Sequence, residues 1–398
     1  MTSTRPATGS VAATRSEAET RLLRPFAVLA LVASGAITAF GLAWWLLPDS
    51  NPYTAPGSRS LANALLEPTQ FAAVVVATGA VGLLLAGVAL SRGALRRRAP
   101  LVAGAAAVLA ATVIVVLGDA GTITFAGYLF GFSAVVAGVL TTAVLIVRAP
   151  RLGVPLLLLL LALLGVAVSW AGLTWDGVTT FLVRFGSGLV DNALPILVSA
   201  ASVTAVLAWT VVAVVAGRTT REVRAFESWL VRHRRTVTVL AALGPLPYAI
   251  VRASWLTPWP LFAPAQGELS PAVLATGLML GSGAAAACVL TLGLIMRWGR
   301  VFPRWMPRLG GRPVPARLAV VPGLAAATII TISAVPVFVL SLGADSLIEV
   351  IVFDLVLPLW FWGPMLALAV WAYAAERRGE RREIGASAAV GRADADGA

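Results

Sequence analysis

Apolar runs of about 20 residues, separated by short polar connections, recur from one end of the chain to the other. The first is Phe26 to Leu47, and nine more follow at 71–90, 100–118, 125–147, 154–175, 191–216, 237–256, 271–296, 317–341 and 355–374. At about 1.5 Å rise per residue, each is long enough to cross a hydrocarbon layer of roughly 30 Å. Inside such a layer every backbone group must be satisfied within its own segment, so the pattern predicts an all-α fold, a polytopic bundle of about ten transmembrane helices. The first run is too long for a signal-peptide core and is expected as a retained helix. Residues 1–24 and 376–398 are expected as disordered cytoplasmic tails around a single membrane domain at 25–375.

Composition agrees with this reading. Of 398 residues, 59% are hydrophobic and 12% charged, too little polar surface for a soluble chain of this length. All 30 basic residues are arginine, and their placement orients the bundle. If the N-terminus is cytoplasmic, 27 of the 30 fall in the tails or in connections on the inner side. Arg59 and Arg184 fall outside, and Arg252 lies within a span. A miscount by one helix would scramble the alternation, so the positive-inside rule predicts ten spans with both termini inside. The acids divide evenly between the two faces, which leaves the inner face strongly basic. That polarity accounts for the net charge of +12 without a nucleic-acid partner and predicts attraction to anionic lipids at the cytoplasmic face. The expected location is the plasma (inner) membrane.

The same inventory excludes several chemistries. Without lysine there is no Schiff-base residue and no Walker A phosphate loop. One cysteine, Cys288, forms no internal disulfide, and one histidine, His233, supplies neither bis-histidine haem ligation nor a multi-histidine zinc site. No HExxH, GxSxG or cysteine–histidine pair is present, so no catalytic residue, metal ligand or cofactor is assigned.

The seventh run carries the candidate chemistry. Pro245 and Pro247 break it, freeing carbonyls one turn earlier, and broken helices at membrane depth often line substrate cavities. A simple kink filled by neighbouring helices is the alternative. Tyr248 stands beside the break, able to bond a freed carbonyl or a substrate. Arg252, about one turn below the outer end, either snorkels, pairs with Asp191 or Asp354 at the same expected depth, or meets a substrate anion. In the tenth run Glu349 and Asp354 precede Pro358 and Pro364. They lie in the membrane if the helix begins near Leu347 and in a loop if it begins at Leu355.

Other features read as scaffold. Trp44, Trp45, Trp170, Trp175, Trp255 and Trp259 at outer ends, with Trp298, Trp305 and Trp371 at inner ends, suit interfacial anchoring. Gly127/Gly131 and Gly277/Gly281 permit close helix contact. Residues 218–235 put Val223, Phe226 and Leu230 on one face of a short surface helix. In the connection from Arg297 to Arg317, arginines recur every three or four residues and prolines interrupt any helix. Both basic connections suit lipid anchoring or docking of a protein partner.

GPLPYAIVRASWLTPWPLF and RWGRVFPRWMPRLGGRPVPARLAVVP resemble stretches in uncharacterised polytopic membrane proteins of high-GC actinobacteria, over roughly residues 237–340. The resemblance implies a multi-helix envelope protein and brings no catalytic residue with it. Three functions stay open: a secondary transporter or permease for a small molecule with its site near the broken seventh helix, a membrane partner that docks a protein on its basic loops, and a membrane-embedded envelope enzyme.

Overall fold

The computed structural model describes residues 8–54, 61–169, 172–263, 270–343 and 346–396. Arg59, Trp170, Glu268 and Asp345 lie outside the described residues. The elements are helices: α1 (Thr8–Leu46), α2 (Leu61–Leu65), α3 (Pro68–Leu90), α4 (Arg92–Leu117), α5 (Ala120–Arg148), α6 (Pro150–Ser169), α7 (Trp175–Asp191), α8 (Ala193–Gly217), α9 (Arg221–Arg232), α10 (Arg234–Leu243), α11 (Leu246–Ser254), α12 (Pro271–Gly293), α13 (Arg317–Ser341), α14 (Leu347–Val356) and α15 (Leu359–Asp396). Among the described residues there are ten helical stretches long and apolar enough to span a membrane. The protein is therefore an all-α, multi-pass membrane protein, as the hydrophobic pattern predicts.

Three local features depart from that pattern. Residues 175–191, read as a connection, form α7, whose Thr174 Oγ1 accepts from the Gly177 N–H at 3.1 Å. The segment is amphipathic, so it carries no uniformly apolar run. The tenth span is interrupted: α14 ends at Val356, Leu357 is non-helical before Pro358, and α15 resumes at Leu359. A residue preceding proline is pushed out of the helical region. Residues 8–24 and 376–396, expected as tails, continue α1 and α15 as helix.

The chain divides into two compact units, Met1–Ala120 with Leu194–Phe226 and Val335–Val337, and Gly121–Ala193 with Glu227–Ala334 and Phe338–Ala398. In the first unit α1 and α3 pack almost backbone to backbone. A Cβ on Gly79 would lie 2.6 Å from the Thr38 nitrogen, and one on Gly41 would lie 2.8 Å from the Val76 nitrogen. Ser34, buried in that crossing, accepts from the Trp209 indole N–H at 3.3 Å. At the end of α1, Trp44 stacks on Phe71 and meets Tyr53 edge-on, with ring centres 5.9 and 5.8 Å apart. The Tyr53 N–H donates to Asn51 Oδ1 at 3.0 Å, so the connection after α1 is folded into its own aromatic core.

In the second unit α12 is the central post. Gly131 of α5 approaches it so closely that a Cβ there would lie 2.9 Å from the Met279 carbonyl oxygen. On α12, Gly277 receives Trp255, the C-cap of α11, and Gly281 receives Arg252 of α11, with hypothetical Cβ contacts of 2.4 and 2.5 Å. Both glycine pairs singled out in the sequence thus contribute to close packing, with Gly131, Gly277 and Gly281 at the tightest contacts.

Candidate functional site

The seventh span breaks where its prolines lie, between α10 and α11. Pro245 has no N–H to offer the Ala241 carbonyl, and that carbonyl instead accepts from the Gly244 N–H at 3.3 Å. Gly244 is covered by Trp362 of α15, which a Cβ would meet at 2.6 Å. A large ring therefore packs directly onto the break, and only glycine leaves room for it. The Trp362 indole N–H is buried without an acceptor among the described residues. The Tyr248 hydroxyl has no hydrogen-bond partner among them either.

Past the bend, Tyr248, Arg252 and Trp255 share one stripe of α11 at helical spacing. The Arg252 guanidinium carbon lies 4.8 Å from the Tyr248 ring centre and 4.2 Å from that of Trp255. Trp255 is itself locked: its indole N–H donates to the Leu261 carbonyl at 3.0 Å, and the Leu261 N–H donates to Ser254 Oγ at 2.9 Å. Trp255 is 4% exposed, so it serves as the floor of the cation and not as an interfacial anchor. Trp44, 3% exposed, is likewise core, whereas Trp45, Trp175 and Trp259 are exposed as anchors would be. Tyr128 of α5 lies within electrostatic reach of both Arg252 and Tyr248. It is held edge-on by Phe181 and Phe185 of α7 at 6.0 and 5.8 Å.

The acids proposed as partners for this cation do not reach it. Asp191 is the exposed last residue of α7. Glu349, the other acid of the tenth run and not an expected partner, is exposed in the first turn of α14. Asp354, in the same helix, accepts from Ser341 Oγ at 2.9 Å. Although α14 packs against α11, no carboxylate among the described residues forms an ion pair with Arg252. Magnitudes explain why the arginine tolerates this. An arginine at mid-bilayer costs about 2.5–3.5 kcal/mol on insertion scales, less near the interface. Two cation–π contacts, each worth about 0.5–2 kcal/mol, offset much of that. They satisfy the charge but not the donors, because a ring face takes no conventional hydrogen bond. Nε of Arg252 is buried with no acceptor among the described residues, an omission worth about 1–3 kcal/mol.

A second polar constellation, invisible in the sequence, lies at the arginine-rich end of the same unit. Glu376 of α15 pairs with Arg234 and, at 2.6 Å, with Arg300. Glu380 pairs with Arg300 and Arg377, both at 3.1 Å. Glu227 takes Arg378 at 2.7 Å. Partial burial disfavours the Arg300 charge, but its bond to Glu376 and the charges of Glu376 and Glu380 outweigh this and raise its pKa. Spacing on α15 hinted at one surface of this network, since 376 and 380 are one turn apart. Arg377 is a neighbour on the same helix, but Arg234 and Arg300 come from distant segments and carry no sequence signal. Among the described residues no group of three or more His, Cys, Asp or Glu gathers as a metal site would require. Comparison with protein-family models, with curated proteins and with solved structures finds no match.

Proposed function

We propose that this integral membrane protein is a permease-type carrier of a small anionic solute, and that the stretch around the α10–α11 bend is its binding element. The observation that carries the reading is Arg252, a permanent charge inside a span, lying against two aromatic rings with a buried donor that has no acceptor among the described residues. A carboxylate or phosphate oxygen would supply the missing acceptor. Tyr248 and Tyr128 offer hydroxyls for the same group, and Pro245 and Pro247 mark the break just before the helical turn that carries Tyr248 and Arg252. Asp191, Glu349 and Asp354, none of them paired with Arg252 among the described residues, are not part of this element. The distribution of arginines supports a plasma-membrane protein with both termini in the cytoplasm and anionic lipids gathered on that face.

The test is a thermal-shift screen of the detergent-solubilised protein against small carboxylates, phosphates and sulfonates. At least one should raise the unfolding midpoint of the wild type, and Arg252→Gln should abolish that response while unfolding at a similar temperature without ligand. Flux of the same solute into proteoliposomes should then be lost in the variant. A panel with no responder, or an Arg252→Gln protein that responds like wild type, overturns the proposal.

A further inference from the structure

The connection between α12 and α13 is a built structure and not a broken helix. It opens with a single 3-10 turn, Arg297–Gly299. It then doubles back so that Val301 pairs antiparallel with Pro313. The Phe302 N–H donates to the Arg312 carbonyl at 3.0 Å, the Gly311 N–H to the Phe302 carbonyl at 2.9 Å, and the Val314 N–H to the Arg300 carbonyl at 2.8 Å. Arg308 and Gly311 adopt left-handed backbone, φ 60° and 80°, where the chain reverses. The α15 helix clips the loop in place: Tyr373 Oη donates to the Gly299 carbonyl at 3.1 Å and Arg377 Nη2 to the Val314 carbonyl at 3.0 Å.

Within this loop the arginines have different employments. Arg300 is consumed by Glu376 and Glu380. Arg297 and Arg304, on either side of it in sequence, have no carboxylate partner among the described residues. Both line a cleft of about 620 Å³ whose remaining wall is apolar, with Trp298, Val301, Phe302 and Pro303. The cleft begins four residues after α12 ends, and the Trp298 ring packs onto Gly293, the last residue of that helix, where a Cβ would meet it at 2.3 Å. The cleft therefore adjoins the end of a helix long and apolar enough to span the membrane.

We infer that this cleft binds an anionic phospholipid, with Arg297 and Arg304 on the phosphate and Trp298, Val301 and Phe302 against the glycerol and first acyl carbons. Two arginines and four apolar side chains lining one cleft complement a molecule with an anionic head and a hydrocarbon tail, which a soluble phosphate lacks. Continuity with α12 puts that tail in the bilayer, which an acidic peptide would not require. The inference goes beyond general attraction of lipid to a basic face, because it names two arginines out of six in the connection. It is independent of the Arg252 site.

The full-length protein, purified in detergent, would be mixed with phosphatidylglycerol or phosphatidylcholine and examined by native mass spectrometry. Wild type is expected to retain phosphatidylglycerol in preference to phosphatidylcholine. Arg297→Gln/Arg304→Gln should lose that retention by about tenfold or more, the loss expected when charge-assisted hydrogen bonds are removed. Arg308→Gln/Arg312→Gln, an equal change in charge outside the cleft, should retain it. Arg304→Gln alone serves as the milder variant should the double variant not fold. Equal loss in both double variants means diffuse attraction and overturns the site. So does equal retention of the two lipids, displacement of bound lipid by millimolar inorganic phosphate, or displacement by an acidic peptide.

Discussion

Two arginines of the second unit illustrate how context assigns a residue its role. Arg300 lies between two glutamates and is committed to holding a loop, whereas Arg252 lies between two aromatic rings and keeps hydrogen-bonding capacity in reserve. Nothing in the local sequence distinguishes them except that one is embedded in an apolar run. The tight fit of Arg252 also depends on the residue opposite. Gly281→Leu would drive a side chain into Arg252 Cβ, 2.5 Å from where its own Cβ must sit. That variant is expected to lower the unfolding midpoint and to lose the anion response together. In the first unit, burial, reinforced by the charge of Asp119, pushes the Tyr53 hydroxyl far above its ordinary value of 10.0. The folded protein therefore holds a proton that the unfolded chain releases near that value. The resulting stability is fully present below pH 10 and drains away as the pH rises above it. Unfolding midpoints measured from pH 8 to pH 11 should fall at the alkaline end in wild type and fall less in Tyr53→Phe.

At the scale of elements, prolines and glycines set the breaks and tertiary contacts decide what becomes of them. The bend at Gly244–Pro245 is occupied by Trp362, and the interruption at Leu357–Pro358 separates α14, with its two acids, from the long α15. The α15 helix then serves as a brace, since Glu376 and Glu380 gather Arg234 and Arg300 from two other parts of the second unit, and Glu380 also holds Arg377 of the same helix. An isolated exposed pair is worth only about 0.2–1 kcal/mol, but Glu376 is largely buried and serves two arginines. Glu376→Gln should cost about 1–3 kcal/mol, read as a lower unfolding midpoint and faster proteolysis within 297–316. Glu383→Gln, at an exposed position of the same helix, should change neither.

For the molecule as a whole, the orientation inferred from arginine placement has a direct test. In a Cys288→Ala background, cysteines at the exposed positions Leu309 and Thr257 should react with an impermeant reagent from opposite sides of the membrane, Leu309 from within the cell. Labelling of both from one side would overturn the topology. The sequence by itself determined the class, the number of spans, the break in the seventh and the residue most in need of explanation. Hydrocarbon length and backbone satisfaction are one-dimensional constraints, and they are written in consecutive residues. It could not determine whether Arg252 meets an acid or a ring, that α7 is a helix, or that the 297–316 connection is folded and holds a cleft. Those outcomes depend on which side chains are brought together by distant segments: Tyr128 from α5, Gly281 from α12, Trp362, Glu376 and Glu380 from α15. Contacts of that kind have no period and no motif, so only the tertiary structure decided them.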